Sequence, residues 1–176
     1  MLNDKNTYVY VVNENTHIGR FNSIYDVIDH IRLKFEDVTS IGITTSSKIC
    51  MFLDDERIIS DVTWVKYPKY WQVHSIRTYE NFKSRVINVL NCTYHRQEAI
   101  SIFDFSFDHD LQCFDENGDE KTGYDCVKWL CSYCMEHNID LDKLSYVVHS
   151  KNPVGAQNIT SYIENCRKFQ NDNQGF

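Results

Sequence analysis

Phe103-Asp104-Phe105-Ser106-Phe107-Asp108-His109-Asp110-Leu111 runs an apolar segment into two carboxylates with a histidine between them. Apolar residues at alternate positions predict a buried strand, here over 99–107, so Asp108 and Asp110 stand at or just past its carboxyl end. Open α/β sheets build their sites at that edge. Two other apolar runs end in the same way. Cys50-Met51-Phe52-Leu53 meets Asp54-Asp55-Glu56-Arg57, and Tyr146-Val147-Val148 meets His149-Ser150-Lys151-Asn152-Pro153. Three parallel strands finishing at one edge gather these groups into one crevice.

Working outward, strand and helix patterns alternate from Ile49 onward. A strand over 49–54 leads into an irregular, aromatic-rich link from Trp64 to Trp71, and a short strand follows over 73–76. Thr78 then caps a helix with the stripe Tyr79, Phe82, Val86 and Leu90. After strand 99–107 comes a polar loop, 112–123, expected as a mobile rim over the site. Helix 124–137 carries Val127, Leu130, Cys131 and Cys134 on one face. Strand 144–148 precedes a last helix, from near Gly155, with Ala156, Ile159, Ile163 and Cys166, and 170–176 reads as a frayed tail. This alternation predicts a doubly wound parallel α/β sheet over 49–176.

Residues 1–48 read differently, as a small β-β-α-β appendage. Its elements are strand 7–12, a short strand 18–21, a helix capped at Asn22 or Ser23 with Ile24, Val27, Ile28, Ile31 and Phe35 at helical spacing, and strand 39–44. A polar connector, 45–48, joins it to the rest. So small a unit holds little core alone and is a candidate surface for a protein partner.

The composition bounds the function. With 42% hydrophobic and 24% charged residues the chain reads as an ordinary globular protein, and a formal charge of -7 argues against broad binding to a DNA or RNA backbone. No apolar run is long enough to span a bilayer, and the start Met1-Leu2-Asn3-Asp4-Lys5-Asn6 lacks the apolar segment of a signal peptide, so a cytoplasmic location is expected. Seven scattered cysteines suit a reducing compartment. Cys131 and Cys134 have zinc-like spacing but lie in a helical apolar stripe, which favours core packing.

Asp54 and Asp55 are adjacent carboxylates that repel unless a cation or basic group is near, and oxygen-only clusters suit Mg²⁺ or Mn²⁺. The same pair also reads as a solvated loop start partnered by Arg57. Asp108 or Asp110 on a second strand end strengthens the cation reading, since alternate strand residues can face one site. The segment 149–155 leads into a helix whose first N–H groups favour an anion. There His149 is a candidate acid or base, while Ser150 and Lys151 are candidate phosphate contacts; a capped turn with His149 packed in the core is the other reading. Arg57 and Arg77 each follow a strand and are further phosphate candidates. No alternation of basic and aromatic residues marks a stacking platform for bases.

Leu-Asp-Asp-Glu-Arg (53–57), Phe-Asp-His-Asp-Leu (107–111), Gly-Tyr-Asp with Trp-Leu (123–125, 129–130) and His-Ser-Lys-Asn-Pro-Val-Gly-Ala-Gln-Asn-Ile (149–159) together resemble the cyclic-phosphate-processing receiver domains, a family found in bacteria and phages. The resemblance covers about 49–170 and implies a divergent receiver fold acting on a cyclic phosphate of a nucleotide or RNA end. It matches Asp54 and Asp55 to the receiver's Mg²⁺-binding acidic pair, Asp108 to its acceptor aspartate and Ser150 to its hydroxyl residue. The receiver's fifth strand with its lysine is not visible, and Lys151 is a stand-in for that charge. The expectation is a Mg²⁺-dependent (or Mn²⁺-dependent) phosphoesterase with the metal on Asp54, Asp55 and Asp108. His149 would protonate the leaving oxygen, or His109 beside Asp110 would take the proton from water. Arg57, Arg77, Ser150, Lys151, Asn152 and Asn158 would hold the substrate. The alternative is a non-catalytic module that binds a nucleotide signal or a host protein.

Overall fold

Asn6–Val12 (β1) and Asn15–Phe21 (β2) are rich in β-branched and aromatic residues and pair antiparallel from Asn6↔Phe21 to Val12↔Asn15. Helix α1 (Ile24–Lys34) repeats its apolar residues at helical spacing and buries Val27 and Ile31 completely. Ile41–Thr44 (β3) pairs antiparallel with the other side of β1, giving the order β2-β1-β3. The computed structural model describes residues 6–12, 15–21, 24–35, 41–44, 48–70, 72–91 and 100–173. The expected cap at Asn22 or Ser23, the start of strand 39–44, most of the connector and the end of the tail lie outside these residues.

The second sheet begins with Ile49–Leu53 (β4), continues with Gln72–Ile76 (β5) and Phe103–Phe107 (β6), and ends with Ser145–Val148 (β9). Its order is β5-β4-β6-β9, all parallel, so the chain steps in opposite directions from β4 and leaves its crevice at the carboxyl ends of β4 and β6. This is a receiver-like α/β sheet, four-stranded among the described residues. Between β6 and β9, Cys113–Phe114 (β7) and Glu120–Lys121 (β8) form a small hairpin. The loop expected as a mobile rim is thus folded, and Asp115 Oδ1 accepts from the N–H groups of Asn117 and Asp119 inside it.

Strand alternation divides the apolar residues between two faces. Ile49, Met51, Leu53, Phe103, Phe105 and Phe107 join one core with residues of α2 (Tyr79–Asn91), α3 (Gly123–Glu136) and α4 (Pro153–Asn173). Cys131 and Cys134 are fully buried there. Burial of each large apolar side chain contributes about 1.5–3 kcal/mol, so this face carries most of the stability. Cys50 and Phe52 belong to the opposite face, in a cluster to which no α-helix contributes among the described residues. The link after β4 covers it instead, through Val62, Ile59, Val65, Tyr67 and Tyr70.

Two expected boundaries move. Residues 100–102 are helical and the strand starts at Phe103, not 99, because a short apolar run with Ile100 fully buried carries no period that separates helix from strand. The last helix starts at Pro153, whose missing N–H and fixed φ suit a first helical position. It also holds its far end: Gln170, expected in a frayed tail, is buried, accepts from Leu141 N at 2.8 Å and donates to Ile139 O at 2.9 Å. No helix among the described residues is long and apolar enough to cross a membrane.

Candidate functional site at the strand ends

The first residue beyond each of three strands continues the ladder. Asp54 N donates to Ile76 O, Asp108 N to Leu53 O and His149 N to Phe107 O, at 2.9–3.0 Å. The side chains of Asp54, Asp108 and His149 are thereby fixed at one edge, and all three residues are 0–1% exposed. Their ligand atoms lie within 4.8 Å of one another.

Asp54 turns the chain back on itself. Its Oδ1 accepts from the N–H groups of Glu56 (2.9 Å) and Arg57 (2.5 Å), the side-chain turn that aspartate favours after a strand. Arg57 then lies between the carboxylates, with Nε 2.9 Å from Asp54 Oδ2 and Nη2 2.6 Å from Asp108 Oδ2. Arg77 fastens the same turn by donating from Nη1 to the carbonyls of Asp54 (2.7 Å) and Arg57 (2.6 Å). Burial alone would raise the Asp54 pKa, but the N–H groups of Arg57 and Glu56, the His149 ring and the Arg57 charge outweigh it and hold the carboxyl below its ordinary value. Asp55, half-buried, is pushed the other way by burial, against a hydrogen bond from its own N–H, and by the charges of Asp54, Glu56 and Asp108.

Beneath Asp54 runs a buried chain of hydrogen bonds. His149 Nε2 meets Asp54 Oδ2 at 3.1 Å, His149 Nδ1 meets Ser106 Oγ at 2.8 Å, and Ser106 Oγ meets Tyr67 OH at 2.8 Å. An ionised carboxylate only accepts, so His149 donates from Nε2, Ser106 donates to Nδ1 and Tyr67 donates to Ser106. Burial lowers the His149 pKa against the pull of Asp54, which keeps the ring neutral as this chain requires, and raises that of Tyr67 to about 12. The imidazole also stacks on Phe52 at 4.6 Å. Both ring nitrogens of His149 are thus engaged and the residue has no exposure, so in this arrangement the ring holds Asp54.

The remaining residues sort by place. His109 Nδ1 meets Asp110 Oδ1 at 2.8 Å, and the His109 ring packs against Gly155 so closely that a Cβ there would lie 2.2 Å from it. Gly123 is required for a similar reason, since a Cβ would come within 1.7 Å of the Asp108 carbonyl oxygen. Asn152 caps α4 by accepting from Gly155 N at 2.9 Å, and its amide donates to Asp110 Oδ1 at 3.3 Å. Ser150 Oγ accepts from Asn152 N at 3.1 Å. Lys151 is exposed, with its ammonium 4.2 Å from the centre of the Trp64 ring. Asn158 is exposed on the second turn of α4.

Two carboxylates and an imidazole are a donor set that holds divalent ions. As arranged they do not fit one. Asp54 already accepts four hydrogen bonds, the full complement of a carboxylate, and Arg57 supplies the cation between it and Asp108. A divalent ion at these carboxylates requires Arg57 to leave.

The sequence missed Ser106, Tyr67 and Trp64. Ser106 had a signal: it shares a strand face with Asp104 while Phe103, Phe105 and Phe107 share the other. Tyr67 and Trp64 sit in a link without periodicity and had none. No curated protein and no solved structure matches the chain. Residues 49–165, two thirds of the sequence, match the family described as cyclic-phosphate processing receiver domain. That span starts at β4, includes every strand of the parallel sheet and all the residues of the cluster, and the chain therefore belongs to the cyclic-phosphate processing receiver domain family.

Proposed function

We propose that the chain opens the cyclic phosphate of a nucleotide or RNA end at the crevice beside Asp54 and Asp108. The observation that carries this reading is the placement of Arg57. Its guanidinium is fixed by two buried carboxylates through Nε and Nη2, is about a quarter exposed, and has no partner for Nη1 among the described residues. A guanidinium fixed on one edge and free on the other is suited to a phosphoryl oxygen, and Lys151 adds a second charge at the rim. Water attacks phosphorus, one ring P–O bond breaks, and the departing sugar oxygen takes up a proton. The accessible acid–base group is His109, whose Nδ1 is held by Asp110 so that Nε2 is left to exchange the proton. Asp55, with its raised pKa, is the second candidate.

The second reading, a binding module without turnover, is favoured by one specific observation. Asp108 is buried and its oxygens are engaged by His109 N and Arg57, which keeps the receiver's acceptor position closed. The test is to incubate the protein with 2′,3′-cyclic mononucleotides and follow phosphorus resonances, with and without Mg²⁺ or Mn²⁺. Conversion to a monoester that is lost in His109→Ala supports the enzyme. Binding without conversion supports the module, and neither outcome removes both.

A further inference from the structure

Trp64 stands at the rim of the cluster, 44% exposed, yet its ring is not free to wander. Its Nε1 donates to His149 O at 2.9 Å, which ties the indole to the strand end that carries the site. Two cations attend the ring: Lys151 Nζ lies 4.2 Å and Arg57 Cζ 5.6 Å from its centre. Leaving so large an apolar ring in water is costly, and a cation over an exposed ring returns only part of that cost. Exposed aromatics held beside phosphate-binding cations are what a nucleotide needs, since every base has a π-face and its phosphate needs charge.

We propose that Trp64 is a stacking face for a nucleobase, with Lys151 and Arg57 meeting the phosphate of the same ligand. This rests on the cyclic-phosphate reading and deepens it, by naming the group that recognises the base of a nucleotide or RNA end. Lys151 has no carboxylate partner among the described residues, so a base that takes its place over the ring releases it toward the phosphate. Arg57 stays fixed by Asp54 and Asp108.

The test compares binding of 2′,3′-cyclic AMP, of a short RNA ending in a 2′,3′-cyclic phosphate, and of glycerol 1,2-cyclic phosphate, which has the ring and charge but no base. Wild type, Trp64→Phe and Trp64→Ala are titrated calorimetrically, with circular dichroism to check folding. Wild type is expected to prefer the nucleotide over the glycerol compound by about ten- to a hundredfold. Trp64→Ala loses that preference and keeps its affinity for the glycerol compound. Trp64→Phe, which keeps a ring but not the hydrogen bond to His149, retains most of the preference. Comparison of the mononucleotide with the RNA end separates the two sources of the same chemistry. Equal binding of base-bearing and base-free ligands by wild type overturns the proposal and spares the cyclic-phosphate reading. Equal weakening of both ligands in Trp64→Ala assigns the ring a structural role and also overturns it. If no cyclic phosphate binds, both fall.

Discussion

Arg57→Ala isolates what the guanidinium does. It leaves two carboxylates with side chains 0% and 2% exposed and no cation between them. Removing one partner of a buried ion pair costs about 3–5 kcal/mol, and since the arginine side chain is 28% exposed, the lower end or somewhat less, about 2–3 kcal/mol, is the expected loss. For a chain of this length that is a fall in Tm of roughly 5–10 °C in buffer with a chelator. The vacated space lies between the carboxylates of Asp54 and Asp108, so Mg²⁺ or Mn²⁺ should then bind there and restore part of the loss. A ligand at a hundred times its Kd returns about 2.7 kcal/mol. Thermal unfolding with chelator and with excess Mg²⁺ or Mn²⁺ reads both effects, wild type beside variant. Wild type is expected to shift little and Arg57→Ala by several degrees. An Arg57→Ala protein as stable as wild type with chelator, or a wild type that gains as much from metal as the variant does, refutes the reasoning.

Ser106→Ala leaves His149 Nδ1 buried without a donor and should cost about 1–3 kcal/mol, read as a lower urea midpoint with unchanged slope; an unchanged midpoint would count against the chain from Tyr67 to Asp54. Gly123→Ala forces a Cβ into the Asp108 carbonyl and should fail to fold or lose several kcal/mol, about 3 or more, whereas Gly118→Ala at the hairpin tip, where nothing lies near but φ is +83°, should cost about 1 kcal/mol. His74 is buried and its pKa falls from 6.5 to about 4, through burial and the Arg85 charge. A depressed folded pKa means stability that is full above pH 6.5 and is lost as pH falls toward 4, by roughly 3 kcal/mol at most. His149, also lowered by burial, adds to the loss below pH 6.5, so His74→Gln should flatten the dependence of stability on pH between 6.5 and 4 without abolishing it. His109→Ala should slow ring opening by about a hundredfold or more with little change in Tm, and near-normal turnover would remove its role.

The strand ends were legible because a residue that stops an apolar run is confined to a place. Asp54, Asp108 and His149 had to lie at one edge once three buried strands ran parallel, and they do. Their mutual chemistry was legible only in part: Arg57 read as a partner for Asp54 and Asp55, but not as the cation shared by Asp54 and Asp108. Whether Arg57 points to solvent or between the carboxylates depends on a turn built by the Asp54 side chain, a contact three residues long that belongs to no repeating pattern. For His149 two readings stood side by side, an acid or base at the site and a core residue before a capped turn, and the structure has the second: the ring stacks on Phe52 and Asn152 caps the helix that follows. Gln170 escaped because in a polar helix end nothing distinguishes the one amide that docks on Ile139 and Leu141.

The link between β4 and β5 explains why so polar a strand as β6 can sit in the middle of a sheet. Asp104 and Ser106 both lie on the face opposite the helical core, and both are buried. Aliphatic side chains from a packed helix would leave them without partners, at about 1–3 kcal/mol each and more for the charge. The link brings Tyr67 to Ser106, and Lys48 pairs with Asp104 at 2.6 Å, with Tyr70 also hydrogen-bonded to Asp104. The tyrosines in the link and the polar positions of β6 therefore require one another. The same segment carries Trp64 to the rim, so one irregular cover satisfies the buried polar face, orients His149 beneath Asp54 and sets the aromatic edge of the site. The irregular cover is thus tied to the site's chemistry through Ser106, and changes in the link should be felt at Asp54.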